Sequence, residues 1–456
     1  MVPKEHILRR IAEQIDFSFV NEQMVDIYSI ELGRPAKEPE LMLKLLFLKL
    51  MHDSSDRGVM SRATTDMAFK YFLELNPEDE LPHHSLLTKF RNRLTDKKLD
   101  EFLKETVRQA LEKKLIKSTT IIVDSTHTRS KHTPQTPTQM LREMTKKLRY
   151  EIYKTQAEIS TNFPEKPTAE DDIFAEIEYT KKLLEYLETI ELTGEKAIKR
   201  FKNVKELLAN PNLIELQSNQ DEDAKTGHKT EDNDFFGYKN HLAMTEEGII
   251  VGATVTNGTA SDPKEFETLV EQALDAGINV KDASGDKAYS TSNIIKFCKS
   301  KNINLISKLK DNVITTEYED DYVWFNKDSS TYVCKNGILS SRRKPNKEGR
   351  YEYAFPKSKC RNCPYAAKCL GKKKEKRIWK NVDYKLFKEH SAFENTEHFK
   401  EKQKSRWKIE QRNAHLKNQY GLDKTYGTGL KSMKAQSILT AFTANILKIT
   451  RLTRAI

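Results

Sequence analysis

Residues 118–126 read STTIIVDST. A β-branched, apolar run of this length forms a buried strand, and this one delivers a carboxylate, Asp124, at what reads as its C-terminal end. Downstream, residues 238–258 (YKNHLAMTEEGIIVGATVTNG) alternate about a Glu-Glu-Gly turn, the pattern of a β-hairpin. A helical pattern follows over 262–276. Residues 278–284 then read as a second strand, ending at Gly285-Asp286. A helix over 292–301 and a short strand in INLISKL (303–309) complete the series. This order predicts a mixed α/β sheet with Asp124 and Asp286 both near carboxyl strand ends.

Two stretches interrupt that sheet. Over 139–209 the pattern is helical and heavily charged (MLREMTKKLRYEIYKTQAEI, then IFAEIEYTKKLLEYLETIEL), which predicts an inserted helical hairpin turning at 162–167. The second interruption is basic: 341–388 carries 17 Lys and Arg against four acids, a net of +13 in a chain whose total is +11. The remainder is therefore close to neutral, and one segment has the charge that a polyanionic partner requires. A solvated like-charge run is the plainer alternative.

Upstream of the sheet, LMLKLLFLKLMHD (41–53) is too densely apolar for a surface helix and predicts a buried one. PHHS (82–85) leads into LLTKFRNRL (86–94), with Ser85 placed to cap that helix and Lys89, Arg91 and Arg93 to decorate it. Short helices joined by tight turns suit either a helix-turn-helix DNA contact or a packing module. The expected division is a helical DNA-binding or dimerisation domain over 1–112 and a catalytic domain over 113–456. The latter is interrupted at 135–215 and 312–390.

No apolar run approaches the ~20 residues that span a bilayer, and MVPKEHILRR lacks a secretory segment, so a cytoplasmic protein with no membrane partner is expected. Five cysteines without an export signal argue against a disulfide framework. Cys360-x2-Cys363 has zinc-ligand spacing, and Cys334 and Cys369 complete a candidate structural Zn2+ site, with reduced thiols as the alternative. Cys298, among Ile294, Ile295 and Phe297, reads as core. His83, His84, His127, His132 and His228 show no ligand spacing.

Near the C-terminus, RWKIEQRNAHLK (406–417) holds Arg406, Glu410 and Lys417. On a helix, offsets of four and eleven fall at about 40° and 20°, so the three share a face. Intrahelical ion pairing would account for them; so would a surface where divalent metal and phosphate meet. With Asp124 and Asp286, Glu410 would make three hard oxygen donors, enough for two Mg2+ or Mn2+ ions.

These residues carry a resemblance. The chain resembles bacterial insertion-sequence transposases of the DDE class over nearly its whole length. Residues 32–75 and 81–94 are similar to the InsH-type N-terminal region. VDSTHT (123–128), FFGYKNHLAM (235–244) and SGDKAYS (284–290) stand where the family has its first acid, hairpin and second acid. Arg406, Glu410 and Lys417 keep the spacing of the Tyr-x2-Arg-x3-Glu-x6-Lys signature, with Gln403 at the tyrosine position. The resemblance implies an RNase H-like core, with Asp124, Asp286 and Glu410 catalytic and holding two Mg2+ or Mn2+ ions. It implies Arg406 and Lys417 on phosphates of the transposon end, Lys287 and Tyr289 on the same backbone, and Trp324 and Trp379 as base-stacking candidates. The implied activity is cleavage at terminal inverted repeats and joining of 3′-OH ends to target DNA, by a homodimer in the working complex. A catalytically silent DNA-binding protein and an RNase H-like nuclease are the alternatives.

Overall fold

The computed structural model describes residues 2–27, 37–168, 172–218, 220–230, 233–311, 313, 318, 320–342, 344–346 and 350–454. Residues 32–36 of the N-terminal resemblance lie outside these, as do Asn312, Arg343 and Lys347 of the basic segment.

The central sheet comprises β1 (Thr120–Arg129), β2 (Lys225–Thr230), β3 (Asn233–Thr245), β4 (Ile250–Asn257), β5 (Asp282–Ser284) and β6 (Asn304–Ile306). Its order is β2-β3-β1-β5-β6, with β4 also pairing β3. β1 is antiparallel to β3 and parallel to β5, and β5 is parallel to β6, so the sheet is mixed, as expected. Ile121, Ile122 and Val123 are wholly buried. The strand does not end at Asp124, however. It runs on to Arg129, because β3 is long enough to pair it as far as Arg129↔Gly237. The parallel neighbour stops earlier, at Ile122↔Ser284. Beyond that point β1 has lost a neighbour on one side. Residues 124–127 are only half-buried, which is why their sequence looks like a turn.

The hairpin forms as read, turning at 246–249 with Gly248 at φ +91°. β5 is shorter than expected: Val280 N–H bonds back to Ile278 O in a turn, and pairing begins only at Asp282. The last helix, Leu430–Arg454, is buried along most of its length. Asn445 fixes it to β4. Its amide bonds both Ile250 N–H and Ile250 O at 2.8 Å, and Thr106 Oγ1 at 2.9 Å.

In the N-terminal region the Pro39–Met51 helix is buried on all sides over 42–50. Its two lysines reach acids: Lys44 meets Glu40 and Glu74, and Lys49 meets Asp56. Leu and Phe residues of this helix join the sheet and the last helix in one continuous core. Ser85 does not cap its helix. It is the first helical residue, and its hydroxyl bonds His83 Nδ1 at 2.8 Å.

The first insertion holds three helices rather than a hairpin: Pro137–Thr155, Ile173–Glu188 and Glu195–Leu208. Gly194, at φ +93°, breaks what reads as continuous charged helix. The three pack around their own cores, one of which gathers Leu148, Ile152, Tyr179, Leu183 and Val204. The basic segment builds a hairpin, β7 (Val323–Asn326) and β8 (Thr331–Cys334), and a three-stranded sheet of β9 (Ser341–Arg342), β10 (Arg350–Ala354) and β11 (Arg377–Asn381). No helix among the described residues is long and apolar enough to cross a membrane.

Candidate active site

The register of β1 against β5 brings the first two acids level. Ile122 pairs with Ser284, and Asp124 and Asp286 each lie two residues further on, where β1 has run past its parallel neighbour. Asp286 accepts from Ala288 N–H at 2.8 Å, opening the short turn Lys287–Tyr289.

The third acid arrives on the helix Trp407–Tyr420. Ile409, Asn413, Leu416 and Tyr420 recur at helical spacing and are buried, so this face lies against the sheet. Asn413 Nδ2 donates to Asp124 Oδ2 at 2.9 Å, a direct bond between the glutamate-bearing helix and the first acid. The helix ends at Gly421, φ +67°, where an added Cβ would strike Tyr426 Oη and Asp53. The chain then lies along the end of β1. Thr128 Oγ1 donates to Leu422 O at 2.6 Å, and Arg129 exchanges backbone bonds with Asp423 and Thr425 at 2.9 Å. The helix is thus tied to β1 at its middle and at its end.

Electrostatics show the same convergence. Burial raises the Asp124 carboxyl to about 7; the Ser125 backbone N–H and Arg406 oppose this, while Asp286 and Glu410 add to it. Glu410 is exposed and bonds Arg406 at 2.6 Å. Arg406 itself sits in the short turn Lys404–Arg406 before the helix rather than within it. Lys417 is half-buried and reaches His127 Nδ1 at 3.4 Å; His127 packs against Phe235. Among the described residues no three His, Cys, Asp or Glu side chains are gathered to hold an ion as they stand. The donor chemistry nonetheless fits a hard divalent cation: carboxylate oxygens whose mutual repulsion, in a buried setting, a positive ion would relieve.

The other expected contacts differ. Tyr289 is not at the surface. It is 1% exposed against Phe266, with its hydroxyl unpartnered, and burial pushes the phenol up with Asp124, Asp262 and Asp286 adding to the effect. Lys287 is paired with Asp311 at 2.9 Å. Arg91 is committed to Asp56, with bonds of 2.9 and 2.7 Å. Burial would raise that aspartate, but Arg91 and Lys49 hold it well below the usual carboxylate range. Lys89 and Arg93 are exposed on the same helix. Trp324 and Trp379 are exposed by 42% and 39%, so neither is a core residue, while Cys298 is buried as expected.

Sequence reasoning missed Asn413, His127 and a polar layer behind the acids. There Ser125 Oγ donates to Asp262 Oδ2 at 2.8 Å and Lys239 Nζ to Asp262 Oδ1 at 2.9 Å. One signal was present: Asn413 is a polar residue inside the apolar stripe 409–416–420.

Two family models match the chain. A transposase DDE domain model matches residues 211–446, and a transposase domain of the DUF772 type matches 1–93. The chain belongs to the transposase DDE domain family. The first of these matches takes in Asp286 and Glu410 and begins after β1. A Rhizobium meliloti protein described as uncharacterized protein ORF8 in the nfe locus is 32% identical over 107 residues. Those residues are 23% of this chain and 51% of the relative, so the chain spans about half the length of the curated relative it matches.

Proposed function

We propose that this chain is a transposase that binds the terminal inverted repeats of an insertion sequence, cleaves DNA there and joins the 3′-OH ends to target DNA. The observation that carries the reading is the junction of β1 with the 407–420 helix. Asp124 and Asp286 lie level, and the helix bearing Glu410 is bonded directly to Asp124 through Asn413. Strand order, with β4, β3 and β1 successively antiparallel and β5 and β6 running parallel to β1 beyond it, supports an RNase H-like core.

Asp124, Asp286 and Glu410 would hold two Mg2+ or Mn2+ ions. When bound, such ions activate a water or 3′-hydroxyl and stabilise the leaving oxygen. Glu410 would hold metal only by parting from Arg406, its present partner, which would leave the guanidinium to fork a backbone phosphate. Lys417 beside His127 supplies a second cation on the same helix face. Lys287 contacts DNA only by leaving Asp311, and Arg91 only by breaking its pair with Asp56. Tyr289 acts from beneath the acids as packing. Lys89 and Arg93, the basic 312–390 segment and the exposed Trp324 and Trp379 supply the remaining DNA surface. Residues 1–112 act as the end-binding and dimer-forming region of 113–456, and a homodimer pairs two ends. The protein works in the bacterial cytoplasm.

Incubation with terminal DNA, Mg2+ and a target plasmid separates the readings. Joined products are expected. Binding alone would indicate a silent DNA-binding protein, and cutting without joining an RNase H-like nuclease. Asp124→Ala, Asp286→Ala and Glu410→Ala should each abolish cleavage while end binding persists.

A further inference from the structure

Among the described residues, the basic segment has a local core of five buried apolar residues: Val323, Tyr332, Tyr353, Phe355 and Ile378. That cluster is separate from the main core and must hold strands and two short helices that carry dense positive charge. So small a core needs a staple. Four cysteines from three places meet where one would act. Cys334 ends β8, Cys360 lies in the short helix Lys357–Arg361, Cys363 follows in the next turn, and Cys369 lies in Ala366–Leu370. All four line a single cavity of about 30 Å³, walled by Tyr322, Phe355 and Tyr365. That volume suits an ion or one or two waters.

We propose that Cys334, Cys360, Cys363 and Cys369 form a tetrathiolate site for one zinc ion, which knots the basic segment into its fold. The backbone already presents the ligands. Cys363 N–H bonds Cys360 O at 3.3 Å across the Cys-x2-Cys turn, and Cys369 N–H bonds Tyr365 O at 2.9 Å. The five cysteines are free thiols, and among the described residues no three donors yet stand at ligand distance. Rotation of the side chains into the cavity closes the site. Zn2+ with four thiols gives a complex of charge −2 and releases four protons. Lys335, Lys359 and Lys376 line the same cavity and would offset that charge. This inference is independent of the catalytic reading, since the cavity shares no residue with the acids.

Elemental analysis of the full chain, purified without added metal, should give one zinc per chain. Thiol titration should show four cysteines becoming reactive only after chelation. Exchange with Co2+ should produce the sulfur-to-metal charge-transfer band of a tetrahedral thiolate site. Cys363→Ser and Cys369→Ser should lose the metal, and Cys298→Ser should keep it. If the serine variants fail to fold, chelation of the wild-type chain still decides through the thiol count. Four thiols equally reactive with and without zinc, or zinc retained by the Cys363→Ser/Cys369→Ser double variant, would overturn the proposal.

Discussion

In the proposed reaction, Asp124 is the residue on which most of the chemistry turns. Its carboxyl titrates near 7 because burial, and then Asp286 and Glu410, disfavour its charge. Between about pH 4, where an exposed aspartate ionises, and pH 7, the metal-free native state keeps a proton that the unfolded chain has released. Stability from this group is therefore greatest at low pH and declines as pH rises through 7. A divalent ion removes the penalty. Mg2+ should raise the melting temperature more at about pH 8 than at about pH 5; an equal or reversed effect would contradict the assignment. Asn413 stabilises the ionised form by donating to it. Asn413→Ala should move the pH midpoint of metal-dependent cleavage upward by roughly one unit with end binding unchanged. An unmoved midpoint would mean that the hydrogen bond does not tune Asp124.

Two helices pack on the sheet that carries the aspartates: the 407–420 helix, tied along β1, and the 430–454 helix, which lies against β4. The second is anchored by Asn445, which is wholly buried and partnered on both sides. Asn445→Leu would leave Ile250 N–H and C=O orphaned, at roughly 1–3 kcal/mol for each group. Urea denaturation should report that loss, and a change under about 0.5 kcal/mol would show the bond to be incidental. The hairpin at 238–258 was legible from its Glu-Glu-Gly turn and the β-branched run that follows it, although burial does not alternate, since both faces of β3 and of most of β4 are covered. The continuation of β1 through 125–129 was not. A half-covered polar strand has no apolar pattern, and only the long partner β3 defines it. The third helix of the first insertion was hidden for a related reason: Gly194 is a single break inside a uniformly charged stretch.

At the scale of the whole molecule, Asn413 meets Asp124 across 289 positions of sequence, and Lys417 meets His127 across 290. The two aspartates were singled out because each follows an apolar strand, and Glu410 because of its spacing from Arg406 and Lys417; their joint role is the proposal made above. What the sequence could not show is which cations are already engaged. Arg91 and Lys287 look like free DNA contacts until Asp56 and Asp311 appear beside them. Tyr289 looks exposed after Gly-Asp-Lys, yet it packs beneath the acids. The same holds for Glu410, whose ion pair with Arg406 makes metal loading a rearrangement rather than simple filling of a site. Anomalous diffraction from crystals soaked in Mn2+ tests this most directly. The account predicts manganese peaks bonded to Asp124 and Asp286, with Glu410 released from Arg406 to join them, and loss of those peaks in Asp124→Ala. Manganese bound elsewhere, with Glu410 still held by Arg406 in a cleavage-competent complex, would contradict it.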